Sequence, residues 1–190
     1  FNGWGGKYLL DGDRELGARV AELAGVPGHR VGMVFEGGAI DVDGGGLAIV
    51  SRSCLLSPER NPGLGQQDAT GLLAGALGLS GLLWLDGMLA GDHTDGHIDT
   101  QARFVPGGRV LVAAASGPED INAEVLGTVG RQVGRWCRSL DPPLEMVEVP
   151  SPGAVTDDGG EVLPATYLNF YVSSSAVVVP VFGSPYDGAA

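Results

Sequence analysis

A chain of 190 residues that is 44 % hydrophobic has the apolar material for one folded domain with a real core, so disorder is excluded as its general state. Its 23 Asp and Glu against 11 Lys and Arg leave a formal charge of −12, which argues against nucleic acid and anionic membrane as partners and permits a small cation as a ligand. Cys54 and Cys137 sit in no CxxC pair and beside no histidine, so they read as reduced thiols of a cytoplasmic protein, and no apolar run is long enough to span a bilayer.

The elements follow in chain order. Asp13 to Gly25 has a helical pattern, with Leu16, Val20, Leu23 and Ala24 on one face and Gly25 as the stop. Val31 to Ser51 reads as a strand pair, bent at Gly37-Gly38 and turned at Asp43-Gly44-Gly45-Gly46. Gln66 to Gly78 is a short helix and Gly81 to Leu85 a buried strand. The order then recurs. Gly96 to Phe104 is a strand, Pro106-Gly107-Gly108 a turn, and Val110 to Ala114 a strand. Glu119 to Leu140 is mostly helical, with Val125, Val129, Val133 and Trp136 on one side, and Leu144 to Val149 is a strand. A third round opens with strands over Thr166 to Val172 and Ala176 to Phe182. The ends, Phe1 and Ala190, read as cut from a longer sequence.

The repeating unit is therefore strand, strand, helix, strand. It divides the chain into the end of one module over 1–30, modules over 31–90 and 91–150, and the start of another over 151–190. Glu36 opens one hairpin and His97 the next, 61 residues on; Asn169 holds the similar place 72 residues later, with the Pro150 to Gly160 loop taking up the excess. Such units can close radially, with apolar strands around a centre and helices outside. The hairpins require antiparallel pairs, which fits a doubly wound parallel sheet poorly.

The densest polar cluster is Gly91-Asp92-His93-Thr94-Asp95-Gly96-His97-Ile98-Asp99. On a strand, His97 and Asp99 would share a face and supply a proton-transfer group beside an anionic anchor. The alternative is a loop of solvated acids with one satisfied histidine. Glu36, between Phe35 and two glycines, holds the equivalent place in the preceding module, so a radial repeat would bring Glu36, His97 and Asp99 to one cavity. A metal site built on Asp92, His93, His97 and Asp99 is a further reading of the same cluster, opposed by the turn-like Thr94-Asp95-Gly96. Nucleophiles are poor: Cys54 and Cys137 both lie in apolar elements with no base nearby in sequence, and both are expected to be structural.

Taken together, FNGWGGKY (Phe1 to Tyr8), FEGGAIDVDGGG (Phe35 to Gly46), CLLSPERNP (Cys54 to Pro62), GDHTDGHIDTQARFV (Gly91 to Val105) and YLNFYV…VVVPVFG (Tyr167 to Gly183) resemble the agmatine deiminase family, within the bacterial-type peptidyl-arginine deiminases. The resemblance covers almost the whole chain and makes it an internal fragment. It implies an α/β, pseudo-symmetric propeller of ββαβ modules, the pentein fold, here incomplete. It also implies hydrolysis of agmatine to N-carbamoylputrescine and ammonia without metal or organic cofactor. His97 matches the family's acid/base histidine, and Glu36 and Asp99 match carboxylates that grip the guanidinium. Asn169 is retained as a weaker substrate-side residue. A further substrate-binding aspartate is expected upstream of Phe1, and the nucleophilic cysteine, in a GNIHC-like segment, beyond Ala190. Agmatine, peptidyl-arginine and other arginine derivatives all remain open as substrates, as does assembly into a homo-oligomer. A non-catalytic module binding guanidinium through Glu36 and Asp99 is the rival reading.

Overall fold

A computed structural model describes residues 1–189. The chain begins with α1 (Gly3–Gly6), a single turn in which Trp4 and Gly5 both have positive φ, and α2 (Asp13–Leu23). Then β1 (Ile40–Val42) and β2 (Leu47–Ser51) form an antiparallel hairpin that pairs Ile40 with Val50. Its turn closes as the Asp-Gly-Gly-Gly sequence demands. Asp43 Oδ1 accepts the N–H of Gly45 at 2.7 Å and of Leu47 at 2.8 Å, while Gly44 and Gly46 take positive φ. After α3 (Arg52–Leu55), the helix α4 (Gln66–Leu77) stops at a left-handed Gly78. It carries the chain over to β3 (Gly81–Leu85), which lies parallel to β2. A parallel neighbour cannot be reached by a tight turn, so the helix is the required crossover.

The second unit repeats this. The hairpin β4 (Ala102–Val105) and β5 (Arg109–Ala114), the helix α5 (Ala123–Ser139) and the parallel strand β6 (Glu145–Pro150) follow in the same order. The two sheets, β1-β2-β3 and β4-β5-β6, share one topology. The third unit is represented by the short hairpin β9 (Tyr171–Val172) and β10 (Val177–Val178). The expected loop before it carries a small hairpin of its own, β7 (Val155–Thr156) with β8 (Val162–Leu163).

The core explains why the two full units hold together. On α5 the buried stripe is Leu126, Val129, Val133 and Cys137, at steps of three and four. Val129 and Val133 are fully buried with Val110 and Val112 of β5, and the same cluster takes in Ile49 and Leu85 from the first sheet. A second cluster, Val50, Cys54, Leu55, Ala69, Leu73 and Trp84, seats α3 and α4 on the other side of that sheet. By contrast, the predicted apolar face of α2 is open: Leu16, Val20 and Leu23 are 57, 55 and 88 % exposed.

Three strand expectations need correction. Residues 31–36 form no strand, and neither do residues 96–101. Glu36 instead leads into a 3-10 turn over Gly37–Ala39, and His97 into one over Ile98–Thr100. The reason is local hydrogen bonding that competes with the ladder: Thr100 Oγ1 donates to the His97 carbonyl at 2.8 Å, and Gln101 N–H to that of Ile98 at 2.8 Å. In the third unit the strands contract to two residues each, because Tyr171, Val172, Val177 and Val178 are all more than half exposed and have no surface against which a longer ladder would pack.

Candidate active site

The two 3-10 turns face each other, and that contact builds the site. Asn61 fixes the approach to the first: its side chain accepts from Val34 N–H at 2.7 Å and donates to the carbonyls of Val34 and Leu55. The second is held by Gln101, whose amide donates to the carbonyls of Gly87 and His97, each at 3.0 Å. The Asp92 carboxylate winds the intervening loop by accepting from Thr94 and Gly96 N–H.

Glu36 and His97 meet directly, with Oε2 to Nε2 at 2.8 Å, and both are buried. The offset of 61 residues therefore placed them together, although neither lies on a strand. Arg60 is the partner that sequence reading missed. Its side chain is wholly inaccessible, with Nε donating to Glu36 Oε1 at 2.8 Å and Nη2 to Oε2 at 3.2 Å. Burial pushes the Glu36 carboxyl up, but the hydrogen bonds from His97 and Arg60 and the charge of Arg60 outweigh it, so Glu36 is held below the usual carboxylate range. Both of its oxygens are thus engaged from within the chain. The signal for Arg60 was faint: a single arginine between Pro58 and Pro62 has no periodicity, and only its burial shows that it must be paired.

Asp99 lies on the open side of His97, its Oδ1 4.0 Å from Nδ1. The parity argument predicted this neighbour for the wrong reason, since the 3-10 turn and not a strand brings the two together. Asp99 Oδ1 is buried and accepts no hydrogen bond. Burial raises the Asp99 carboxyl above its ordinary value, with His97 and Arg103 offsetting part of the effect. Gly38 borders the same space. A Cβ there would run into His97 Nδ1 and come within 2.7 Å of Asp99 Oδ2, so the glycine keeps both groups accessible. Nearby, Arg103 pairs with Asp41 at 3.1 Å, stacks over the Phe170 ring at 4.6 Å and donates to the carbonyls of Leu168 and Phe170. It joins all three units.

The other sequence candidates fall elsewhere. Asn169 is exposed and lines a separate cavity of about 260 Å³ with Thr166, Pro180 and Phe182. The His93 ring packs against Trp4 and Tyr8 at 5.3 and 6.1 Å, away from the His97 pair. Cys137 lies on the buried face of α5, where desolvation raises its thiol. Cys54 is closer, its Sγ 3.6 Å from Glu36 Oε2, but burial and the Glu36 charge push its thiol up to about 12. Glu36, Cys54 and His97 each offer a ligand-type atom within 4.8 Å of the others. The donor set does not suit a metal ion, because Arg60 already occupies both Glu36 oxygens and Cys54 is held as a neutral thiol. No described helix is long and apolar enough to cross a membrane.

This geometry can now be set beside known proteins. A family model described as Porphyromonas-type peptidyl-arginine deiminase matches residues 1–190. The chain belongs to that family. It is 32 % identical to the agmatine deiminase of Stutzerimonas stutzeri over 100 % of the chain and 58 % of that protein. It is 33 % identical to the agmatine deiminase of Medicago truncatula over 96 % of the chain and 55 % of that protein. Among solved structures, the agmatine deiminase of Enterococcus faecalis superposes with a TM-score of 0.91 at 26 % identity, covering 100 % of this chain and 58 % of that one. The C. jejuni agmatine deiminase with substrate bound superposes with a TM-score of 0.88 at 28 % identity, covering 100 % and 55 %. The chain thus spans little more than half the length of the curated relatives it matches. The resemblance read in the sequence is borne out, and the mixed α/β architecture of ββαβ units is that of the pentein fold.

Proposed function

We propose that this chain carries the acid/base and guanidinium-binding half of a hydrolytic deiminase, with agmatine as the substrate and N-carbamoylputrescine and ammonia as products. The observation that carries the reading is the buried, unpaired Oδ1 of Asp99 beside the His97–Glu36 pair. A half-buried carboxylate with one oxygen lacking a donor is matched by a planar cation that brings N–H groups to it. Names of relatives support the substrate class, and the family description keeps peptidyl-arginine as the alternative substrate.

In this reading Glu36, ionised, takes the Nε2–H of His97 and leaves Nδ1 as the atom that exchanges protons. A cysteine thiolate attacks the guanidinium carbon. His97 Nδ1–H protonates the departing amine, which leaves as ammonia. Water then gives one proton to Nδ1 and its oxygen to the carbon; as that oxygen becomes the carbonyl its second proton passes to solvent, the C–S bond breaks, and the thiolate returns. Asp99 orients the cation throughout, with Glu36 contributing its charge from behind His97. Neither Cys54 nor Cys137 has the environment of the nucleophile, so we place that thiolate outside the 190 residues, along with a further substrate-binding aspartate. No metal or organic cofactor enters these steps. The modules run over 31–90 and 91–150, with parts of others over 1–30 and 151–190, and two unpaired thiols suit a cytoplasmic protein.

A second reading, guanidinium binding without turnover, stands on the same Asp99 carboxylate, since it needs no nucleophile. One experiment separates them. Ammonia release from agmatine is measured for the longer protein and for its His97→Ala variant. Turnover that is nearly abolished by His97→Ala supports the deiminase; binding of agmatine with no turnover of any guanidino compound supports the binding module.

A further inference from the structure

Arg60 has five N–H donors, and each has an acceptor. Nε and Nη2 fork onto the two oxygens of Glu36; Nη2 also reaches the Thr94 carbonyl at 2.9 Å; Nη1 reaches Asp95 Oδ2 at 2.6 Å and Ser57 Oγ at 3.4 Å. Asp95 is held in turn by Lys7 at 2.8 Å, despite a positive φ of 68°. The result is a ladder of alternating charge, Lys7–Asp95–Arg60–Glu36, which starts at the surface and ends on the His97 ring.

We infer that Arg60 is a positioning residue for His97: its fork fixes the Glu36 carboxylate so that Oε2 takes the Nε2–H, and so leaves Nδ1, the nitrogen that faces Asp99, as the one free to exchange a proton. An ionised Glu36 has no proton to give, so it requires the N–H at Nε2. A protonated Glu36 would become the donor, and the hydrogen would move to Nδ1, the side bordered by Gly38 and Asp99. The groups that face Glu36 are Arg60, His97 and the neutral Cys54 thiol, with Asp95 behind Arg60. Arg60 is therefore the cation that keeps Glu36 in the acceptor state, and its net effect agrees with the lowered Glu36 carboxyl. Arg60 touches neither Asp99 nor the open space by Gly38 and acts only through Glu36. A lysine could supply the charge but not the fork. The catalytic meaning of this rests on the deimination reading; the hold on Glu36 does not.

The test is a pH titration of the 190-residue chain by NMR, with labelled glutamate carboxyls and histidine rings. In the wild type, Glu36 stays ionised into the acid range and neutral His97 carries its hydrogen on Nε2. In Arg60→Gln the Glu36 midpoint rises by about one unit or more, as for loss of a contacting opposite charge, and a share of the neutral His97 ring carries its hydrogen on Nδ1. Arg60→Lys restores the midpoint but leaves the Nε2–H exchanging with solvent roughly tenfold faster, through loss of the fork. An unchanged midpoint and tautomer in folded Arg60→Gln would overturn the inference. If that variant does not fold, Arg60→Lys decides it, and wild-type exchange at Nε2 overturns it. Adding agmatine separates the two readings. A wild type with the expected tautomer, beside a longer protein that turns over no guanidino compound, sinks deimination alone, whereas a longer protein that releases ammonia from agmatine, beside an Arg60→Gln variant with unaltered Glu36, sinks the role of Arg60 alone.

Discussion

Asp99→Asn should make this chain more stable while removing its grip on a cation. In the free chain the Asp99 Oδ1 is buried and accepts nothing, and burial raises its carboxyl despite the charges of His97 and Arg103. A buried acceptor left unsatisfied costs about 1–3 kcal/mol, more when ionised. Asparagine keeps the shape and removes the charge, so the expected gain at neutral pH is about 1 kcal/mol. For a chain of this length that is roughly 2–4 °C in Tm. The pH dependence follows from the sign of the shift. An acid whose folded pKa is raised disfavours the fold wherever it is ionised, so the difference is full above the raised value. It fades as pH falls through that value towards the ordinary 3.8, below which both states are protonated. Thermal or urea unfolding of both chains at neutral pH and near pH 3 measures this. Agmatine should raise the Tm of the wild type, about 2.7 kcal/mol of stability at one hundred times Kd, and leave the variant unmoved. A variant less stable at neutral pH, or a difference that does not shrink in acid, would refute the view of Asp99 as an unsatisfied charge waiting for its ligand.

Four further outcomes are expected. At neutral pH a small alkylating reagent should leave Cys54 and Cys137 of the folded chain unmodified over the time that labels the urea-unfolded chain, since Cys54, at about 12, is almost wholly thiol and both are buried. For the same reason the 190-residue chain should release no ammonia from agmatine above background; acid–base help from His97 alone is worth about 10²–10⁴-fold. Gly38→Ala should cost about 1–3 kcal/mol in urea unfolding and displace the His97 ring signals, because its Cβ collides with Nδ1. Val129→Ala, at a fully buried position of α5, should cost about 2 kcal/mol without moving those signals.

Much of this protein was written locally. The Asp43 turn, the limits of α4 at Gly78, the five residues of β3 and the apolar stripe of α5 all follow from residues within a few positions of one another, where hydrophobic period and turn chemistry act. The repeat of units made Glu36, His97 and Asp99 findable, because equivalent positions of equivalent hairpins converge. What period could not reach was the tertiary structure's to decide. The 3-10 turn after His97 replaced a strand because the Thr100 and Gln101 side chains found the His97 carbonyl. The face of α2, amphipathic in sequence, was left exposed, since periodicity marks a face but does not supply the surface that covers it. Above all, the Arg60–Glu36 pair spans 24 residues and the Lys7–Asp95 pair 88. An ion pair depends on where two chain segments meet in space, and a single charged residue in a loop carries no trace of its partner.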